Sequence, residues 1–132
     1  MEGSFTFTVA DERLNFDYIS EKLGIFPTKI VKKGQLVGRT GIAPYDIWSL
    51  ETRISEDDKL ENALNRLLQK LNTSSEIVRD LNELYSKVII NCYLRSDYAQ
   101  MGFELSNDIL KKTVSLGIGI DFHILSFGGV EK

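Results

Sequence analysis

The sequence predicts an α+β domain with a mostly antiparallel sheet and helices packed on one face. Segments that alternate apolar and polar residues, as half-buried strands do, are interspersed with segments of helical period along the chain. The 132 residues suit one domain, residues 1–132, and are too few for two ordinary ones. Hydrophobic residues make up 42% and charged residues 27%, as in ordinary globular domains, which argues against disorder.

The chain begins with a predicted strand, a short helix and a second strand. Residues 5–9 alternate between apolar and polar side chains and predict a half-buried strand. Asn15 is a favourable N-cap for the helix, and Gly24 can end it because glycine readily adopts the left-handed conformation. Residues 28–33 predict the second strand.

A long connection and a leucine-rich helix follow. Residues 34–44 form a Gly-rich connection, for which a mobile loop is the default interpretation, and residues 45–52 predict a third strand. Ser55 and Asp58 have the spacing of a capping box at the start of a helix. Five leucines then recur at the spacing of one helical face, namely Leu60, Leu64, Leu67, Leu68 and Leu71.

The second half of the chain returns to strands. The predicted elements are a helix over 73–84, a strand over 87–95, a turn at 96–98, a strand over 101–105, a helix from Ser106 to Gly117 and a strand over 118–124. The first part of this order, β-α-β-β-α, matches the ferredoxin-like split β-α-β arrangement, to which a further β-α-β is appended.

Composition also bears on compartment and partners. The single cysteine excludes a disulfide within the chain and suits a reducing compartment, so we expect a cytoplasmic protein. No apolar run is long enough to span a membrane, and the alternating N-terminus differs from a signal peptide. The net charge of −3 provides no general attraction to nucleic acid, which is not an expected partner.

Several motifs together resemble a known family. They are L-G-I-F-P-T ending at Thr28, then Gly34, Trp48, the leucine-rich helix and the closing L-G-I-G-I-D-F-H of residues 116–123. This pattern resembles the bacterial domain-of-unknown-function (DUF) family numbered four-two-seven-nine. The resemblance implies a small bacterial cytoplasmic protein and supplies no catalytic residue. Some small bacterial α+β families of this kind are immunity proteins, which suggests an immunity or antitoxin-like role by analogy.

Candidate catalytic residues are few. His123 is the only histidine, and Asp121, on the same strand face, is its nearest partner in register. Two such residues are too few for a zinc site, so we interpret His123 as a surface or structural residue. Cys92 shares a face with apolar neighbours and is predicted to lie in the core. No catalytic residue, metal or cofactor is predicted.

The most distinctive surface signal is a basic cluster beside the Gly34–Pro44 connection. Lys32, Lys33 and Arg39 provide the charge, and Tyr45 is a candidate aromatic anchor, whereas Trp48 is predicted to be core. Gly38–Gly41 reads G-x-x-G, but it joins two strands and therefore lacks the helical context of a KH-domain loop.

The leading functional hypothesis is a non-enzymatic module that binds a protein partner, for which an acidic one fits the basic cluster. One alternative is a small-ligand-sensing or homo-oligomeric regulatory domain, including a homodimer. A second alternative is a hydrolase that uses Asp121 and His123. An acidic cluster near the start of the leucine-rich helix is explained by the preference of helix N-termini for acids.

Overall fold

Seven strands and four helices make up the computed structural model, which describes residues 2–55, 57–96 and 102–126. In chain order they are β1 (Glu2–Asp11), α1 (Phe16–Leu23), β2 (Lys29–Val31), β3 (Leu36–Val37), β4 (Gly41–Ile42), β5 (Asp46–Ile54), α2 (Leu60–Asn72), α3 (Ser75–Leu84), β6 (Lys87–Ser96), α4 (Asn107–Ser115) and β7 (Gly119–Ser126). Across the described ranges, no helix has the length and apolar character needed to cross a membrane.

The main sheet has the strand order β2-β5-β1-β6-β7, and β3 and β4 form a separate small ladder. β1 is central and pairs antiparallel with both β5 and β6, while β2 pairs antiparallel with β5. Only β7, which α4 connects to β6, runs parallel to its neighbour. The α+β class and the mostly antiparallel sheet are confirmed, while the assignment to the ferredoxin-like folds stays a prediction.

The core lies between one face of the sheet and the helices. Side chains that alternate along β1, including Phe5 and Phe7, are buried together with Trp48 of β5 and the leucines of α2. Polar side chains such as Thr6 and Asn91 lie at the intervening positions, on the opposite face of the sheet. The period-two pattern of the strands and the helical period of α2 therefore meet in one apolar layer.

Two predicted helix caps are confirmed. The Asn15 side chain accepts a hydrogen bond from the backbone N–H of Tyr18 at 3.0 Å, and Ser106 accepts one from Ile109 at 3.3 Å. Gly24 ends α1 with a φ of 68°, as the left-handed cap requires. Both N-caps satisfy donors that a helix start leaves without an intrahelical partner.

The predicted start of α2 is wrong. The helix begins at Leu60, after Lys59, whose side chain makes no capping bond. Ser55 and Asp58 do contact each other, but in a turn before the helix, where the Ser55 N–H lies 3.4 Å from Asp58 Oδ2. That carboxylate oxygen also accepts from Arg66 Nη2 at 2.7 Å, so it serves the turn and α2 together.

The predicted strand over 101–105 is also wrong for residues 102–105, the part of it that the structure describes. These residues have no ladder partner among the described residues. Their alternation has another cause. Phe103 stacks on Phe122 with ring centroids 5.5 Å apart, and Leu105 packs against the core. Met101 and the predicted turn at residues 97 and 98 lie outside the described residues.

Candidate functional site

The four predicted partner-binding residues lie in the chain between the end of β2 and the start of β5. Lys32, Lys33, Arg39 and Tyr45 are all exposed, and Arg39 lies in the turn between β3 and β4. None of the three cations forms a salt bridge with a residue in the described part of the chain. Their positive charges are therefore available to an incoming group.

The connection over 34–44 is a hairpin, which corrects its interpretation as a mobile loop. The backbone N–H of Gly34 donates to the Ala43 carbonyl at 2.9 Å, and that of Ala43 donates to the Gln35 carbonyl at 2.8 Å. Gly38 begins the turn with a φ of 66°, a conformation that glycine adopts without strain. Ala43 is buried, so the base of the hairpin is held by both bonds and packing.

Asp46 fixes the base of this hairpin. Its Oδ1 accepts from the Lys33 N–H at 2.7 Å, and its Oδ2 accepts from the Leu14 N–H at 3.0 Å. These bonds, the Lys33 bond foremost, lower the pKa of Asp46 from its ordinary value of 3.8, and the charges of Lys32 and Lys33 lower it further. The carboxylate thus ties the hairpin base to the segment before α1.

Asp46→Asn should reduce the acid sensitivity of the fold. The pKa of Asp46 is lower in the folded protein than its ordinary value of 3.8. Its carboxylate therefore stabilises the fold fully when the pH is above 3.8, and this stabilisation is lost as the pH falls through the pKa of the folded state. We therefore expect the variant to have a lower Tm than the wild type at neutral pH, with a difference that shrinks below about pH 4. Thermal unfolding followed by circular dichroism, from neutral pH to below about pH 4, measures this difference in Tm.

The control is Asp80→Asn, which changes an exposed aspartate on α3. Its Tm should follow the wild type at every pH. An Asp46→Asn protein whose Tm also parallels the wild type at every pH would contradict the anchoring role of Asp46.

The hairpin also exposes two large apolar residues that sequence reasoning did not single out. Leu36 and Ile42 lie directly opposite each other in the β3–β4 ladder and are 73% and 63% exposed. A signal was present, since both flank a glycine-bounded turn, as the strands of a hairpin do. We call the following residues the hairpin surface: Lys32, Lys33, Leu36, Arg39, Ile42 and Tyr45.

His123 belongs to a polar network on the face of the sheet opposite the helices. Its Nε2 lies 3.3 Å from Asn91 Oδ1, and the Asn91 amide donates to Thr8 Oγ1 at 3.0 Å. The imidazole also stacks on Tyr93, with ring centroids 4.9 Å apart. Asp121 has no hydrogen bond or ion pair with His123 in the described part of the chain, so the structure does not bring this proposed hydrolase pair into contact.

Cys92 lies in the core, as predicted. Its side chain is fully buried in the sheet between apolar neighbours. Burial raises the pKa of the thiol to about 12, because the apolar surroundings disfavour the thiolate. Since the thiolate is the nucleophilic form, this environment opposes covalent chemistry at neutral pH.

A cavity of about 550 Å³ lies at one end of the sheet, where β1 begins and β6 and β7 end. Tyr93, Leu94, His123 and Ile124 contribute to its lining. The described residues contain no group of three or more His, Cys, Asp or Glu side chains placed to hold a metal ion.

The fold and these surfaces describe a small α+β protein with an exposed hairpin. The chain belongs to the family described as Domain of unknown function (DUF4279), whose model matches residues 1–127. The family resemblance found in the motifs is thereby confirmed. Comparisons with curated proteins and with solved structures find no significant match.

Proposed function

We propose that this protein is a non-enzymatic interaction module that binds an acidic protein partner through the hairpin surface. The observation that carries the proposal is the exposed cross-strand pair of Leu36 and Ile42 beside three cations without a salt bridge in the described chain. Protein interfaces typically combine an apolar centre with a polar rim, and Tyr and Arg are enriched among the residues that contribute most to affinity.

The anchoring of the hairpin supports this role. Because backbone bonds and the Asp46 carboxylate already order it, little conformational entropy is lost when a partner binds. Leu36 and Ile42 would lose water on binding and so slow dissociation, whereas Lys32, Lys33 and Arg39 would speed the encounter with an acidic surface. Asp46 cancels part of this charge, but its two oxygens are already occupied by backbone donors.

The non-enzymatic part of the proposal rests on the surroundings of the candidate catalytic groups. His123 is engaged by Asn91 and Tyr93, and Cys92 is a buried thiol with a raised pKa. The setting that we propose is the bacterial cytoplasm, where a reduced cysteine is stable. An immunity or antitoxin-like role would suit a preformed surface of this kind, because a fast encounter favours an inhibitor.

The charge-reversal variant Lys32→Glu, Lys33→Glu, Arg39→Glu tests whether the three cations contribute to binding of the acidic partner. All three side chains are exposed, but Lys32 and Lys33 lie near the Asp46 carboxylate, so circular dichroism must first show that the variant is folded. The wild-type protein, tagged and captured from its native cell, should retain an acidic partner that mass spectrometry identifies. With that partner purified, the variant should associate at least about tenfold more slowly at low salt and show a weaker salt dependence.

A matched control is Lys59→Glu, Lys70→Glu, Lys111→Glu, which makes the same change in net charge at exposed sites outside the hairpin and its base. It should associate nearly as fast as the wild type. Leu36→Thr with Ile42→Thr should instead raise the dissociation rate. The proposal fails if both charge variants slow association equally and the threonine variant dissociates at the wild-type rate.

Small-ligand sensing is the second candidate function, and the cavity between the start of β1 and the ends of β6 and β7 favours it. The two candidates predict different NMR responses. A small ligand would shift the signals of Tyr93 and His123, whereas a protein partner on the hairpin surface would shift those of Leu36 and Ile42.

A further inference from the structure

Among the described residues, β7 forms one edge of the main sheet. In the described part of the chain it pairs with β6 alone, so the backbone groups on its outer side have no ladder partner. The strand reads G-I-D-F-H-I-L-S and contains neither lysine nor proline, which commonly protect such edges. Phe122 and Ile124 remain 40% and 53% exposed. An edge of this length, with apolar side chains on its helix face and Asp121 as its one charged residue, is a template for another strand of matching charge.

The sequence of β7 is self-complementary. Phe122 is the centre of the segment Ile120-Asp121-Phe122-His123-Ile124. Both ends of this segment are isoleucine, and the two positions beside Phe122 are an acidic residue and a histidine. When two copies pair antiparallel with Phe122 opposite Phe122, Ile120 lies opposite Ile124 and Asp121 lies opposite His123. A twofold axis between identical strands requires this type of reciprocal pairing.

We infer that β7 pairs with β7 of a second copy of this chain, antiparallel and centred on Phe122, to form a homodimer with one continuous ten-stranded sheet. The axis would be perpendicular to the sheet, so the helices of both copies remain on one face. Phe122 and the isoleucines extend the apolar layer across the junction, while two Asp121–His123 pairs form on the opposite face. The ring nitrogen of His123 left for Asp121 of the second copy is Nδ1, because Nε2 is turned toward Asn91.

Charge and side-chain alternation select this register. A shift of one strand by one residue places apolar side chains opposite the polar face, because successive side chains point to opposite faces. A shift by two in one direction places Asp121 opposite Asp121, and like charges directly opposite each other destabilise a ladder. A shift by two in the other direction places Asp121 opposite Leu125, so the pairing of Asp121 with His123 is lost. Phe122 at the centre is already supported from the helix side by its stacking on Phe103.

Neighbouring features fit the same interface. α4, which leads into β7, exposes Leu110 and Val114 one helical turn apart, so the apolar character of this region is not confined to the strand. The hairpin follows β2, at the opposite edge of the sheet. Dimerisation through β7 therefore leaves both hairpin surfaces free, and the inference is independent of the proposed function.

Sedimentation equilibrium of the full chain over a concentration series tests the dimer. The wild type should approach the mass of two copies. His123→Asp places Asp121 opposite a second carboxylate at two symmetric positions and should weaken the dimer by about tenfold or more. The swapped variant Asp121→His with His123→Asp keeps the wild-type composition and net charge, restores opposite partners in the same register, and should recover dimerisation.

A wild type that stays at the mass of one copy throughout the series would overturn the inference. So would a swapped variant that dimerises no better than His123→Asp, because the register would then be wrong. Circular dichroism of each variant shows whether a lower measured molecular mass reflects unfolding. Recovery of the dimer by the swapped variant cannot be explained by a change in fold stability alone.

Cysteine cross-linking locates the axis directly. Only residue 122 lies opposite itself, where Cα atoms in an antiparallel pair are about 4.5–5.5 Å apart, within the range that a disulfide spans. Phe122→Cys should therefore form a covalent dimer under mild oxidation. Leu125→Cys is the control, because it lies opposite Gly119 of the second copy and its own counterpart is six residues along that strand, about 20 Å away. The native Cys92 is buried and should not interfere. Equal cross-linking at both positions, or cross-linking at 125 alone, would place the axis elsewhere and refute the register.

Discussion

Trp48→Ala should lower the free energy of unfolding by about 3–5 kcal/mol, the usual cost of removing a large aromatic side chain from a core. Trp48 has no exposed surface and packs edge-to-face against Phe7, with ring centroids 6.0 Å apart. Its Nε1 also donates to Ser20 Oγ at 2.9 Å, so the indole connects β5 to α1. Urea unfolding must be followed by circular dichroism, because the variant has no tryptophan.

Two companion variants separate packing from hydrogen bonding. Trp48→Phe keeps an aromatic ring near Phe7 and should cost less than the alanine variant. Ser20→Ala keeps the indole but removes its acceptor, which should cost about 1–3 kcal/mol because a buried donor loses its partner. A Trp48→Ala protein that loses less than about 1 kcal/mol would show that the site is not a closely packed core position.

Leu67→Ala should lower the free energy of unfolding by about 2–5 kcal/mol. Leu67 lies in the middle of α2, where it is fully buried against the sheet. The lost contacts and the remaining cavity both contribute to this cost. Urea unfolding monitored by circular dichroism gives the free energy, and an unchanged slope with denaturant shows that the two unfolding transitions expose similar surface.

Gln69→Ala, two residues further along α2, is the matched control because Gln69 is exposed. Its effect should stay within about 0.5 kcal/mol of the wild type. If the two variants were equally stable, the leucine face of α2 would be assigned to the wrong side.

Elements whose signals are local could be predicted from the sequence. The caps at Asn15 and Ser106 depend on a side chain and a backbone group three residues away, so residue type and spacing are sufficient. The buried face of α2 follows from the period of its leucines. The burial of Cys92 follows in the same way from its apolar neighbours on alternate positions of β6.

Elements that depend on distant partners could not be predicted in this way. Residues 102–105 alternate like a strand because Phe103 packs on Phe122, but a strand also needs a ladder partner, which periodicity does not reveal. The start of α2 was misplaced because Asp58 bonds to Arg66, which lies beyond the reach of a capping motif. Strand order is likewise a property of pairing across the chain.

The candidate site was predicted in part. Charge alone identified Lys32, Lys33 and Arg39, and the structure exposes them. The ladder that places Leu36 opposite Ile42 was missed because each strand has only two residues, too few for periodicity to show. Asp46 was missed because it acts through backbone N–H groups, and these leave no signature in the side chains of the sequence.

The central position of β1 has a consequence for how the chain folds during synthesis. β1 leaves the ribosome before the other strands of the main sheet, yet Gly3 pairs with Ile54 on one side and with Leu94 on the other. Contacts at such sequence separation are slow to form, because the intervening chain must close on itself first. The apolar side chains of β1 therefore stay without their β6 partners until residues 87–96 have been made, and during this interval a chaperone that holds extended apolar segments would have its binding site at Phe5, Phe7 and Val9.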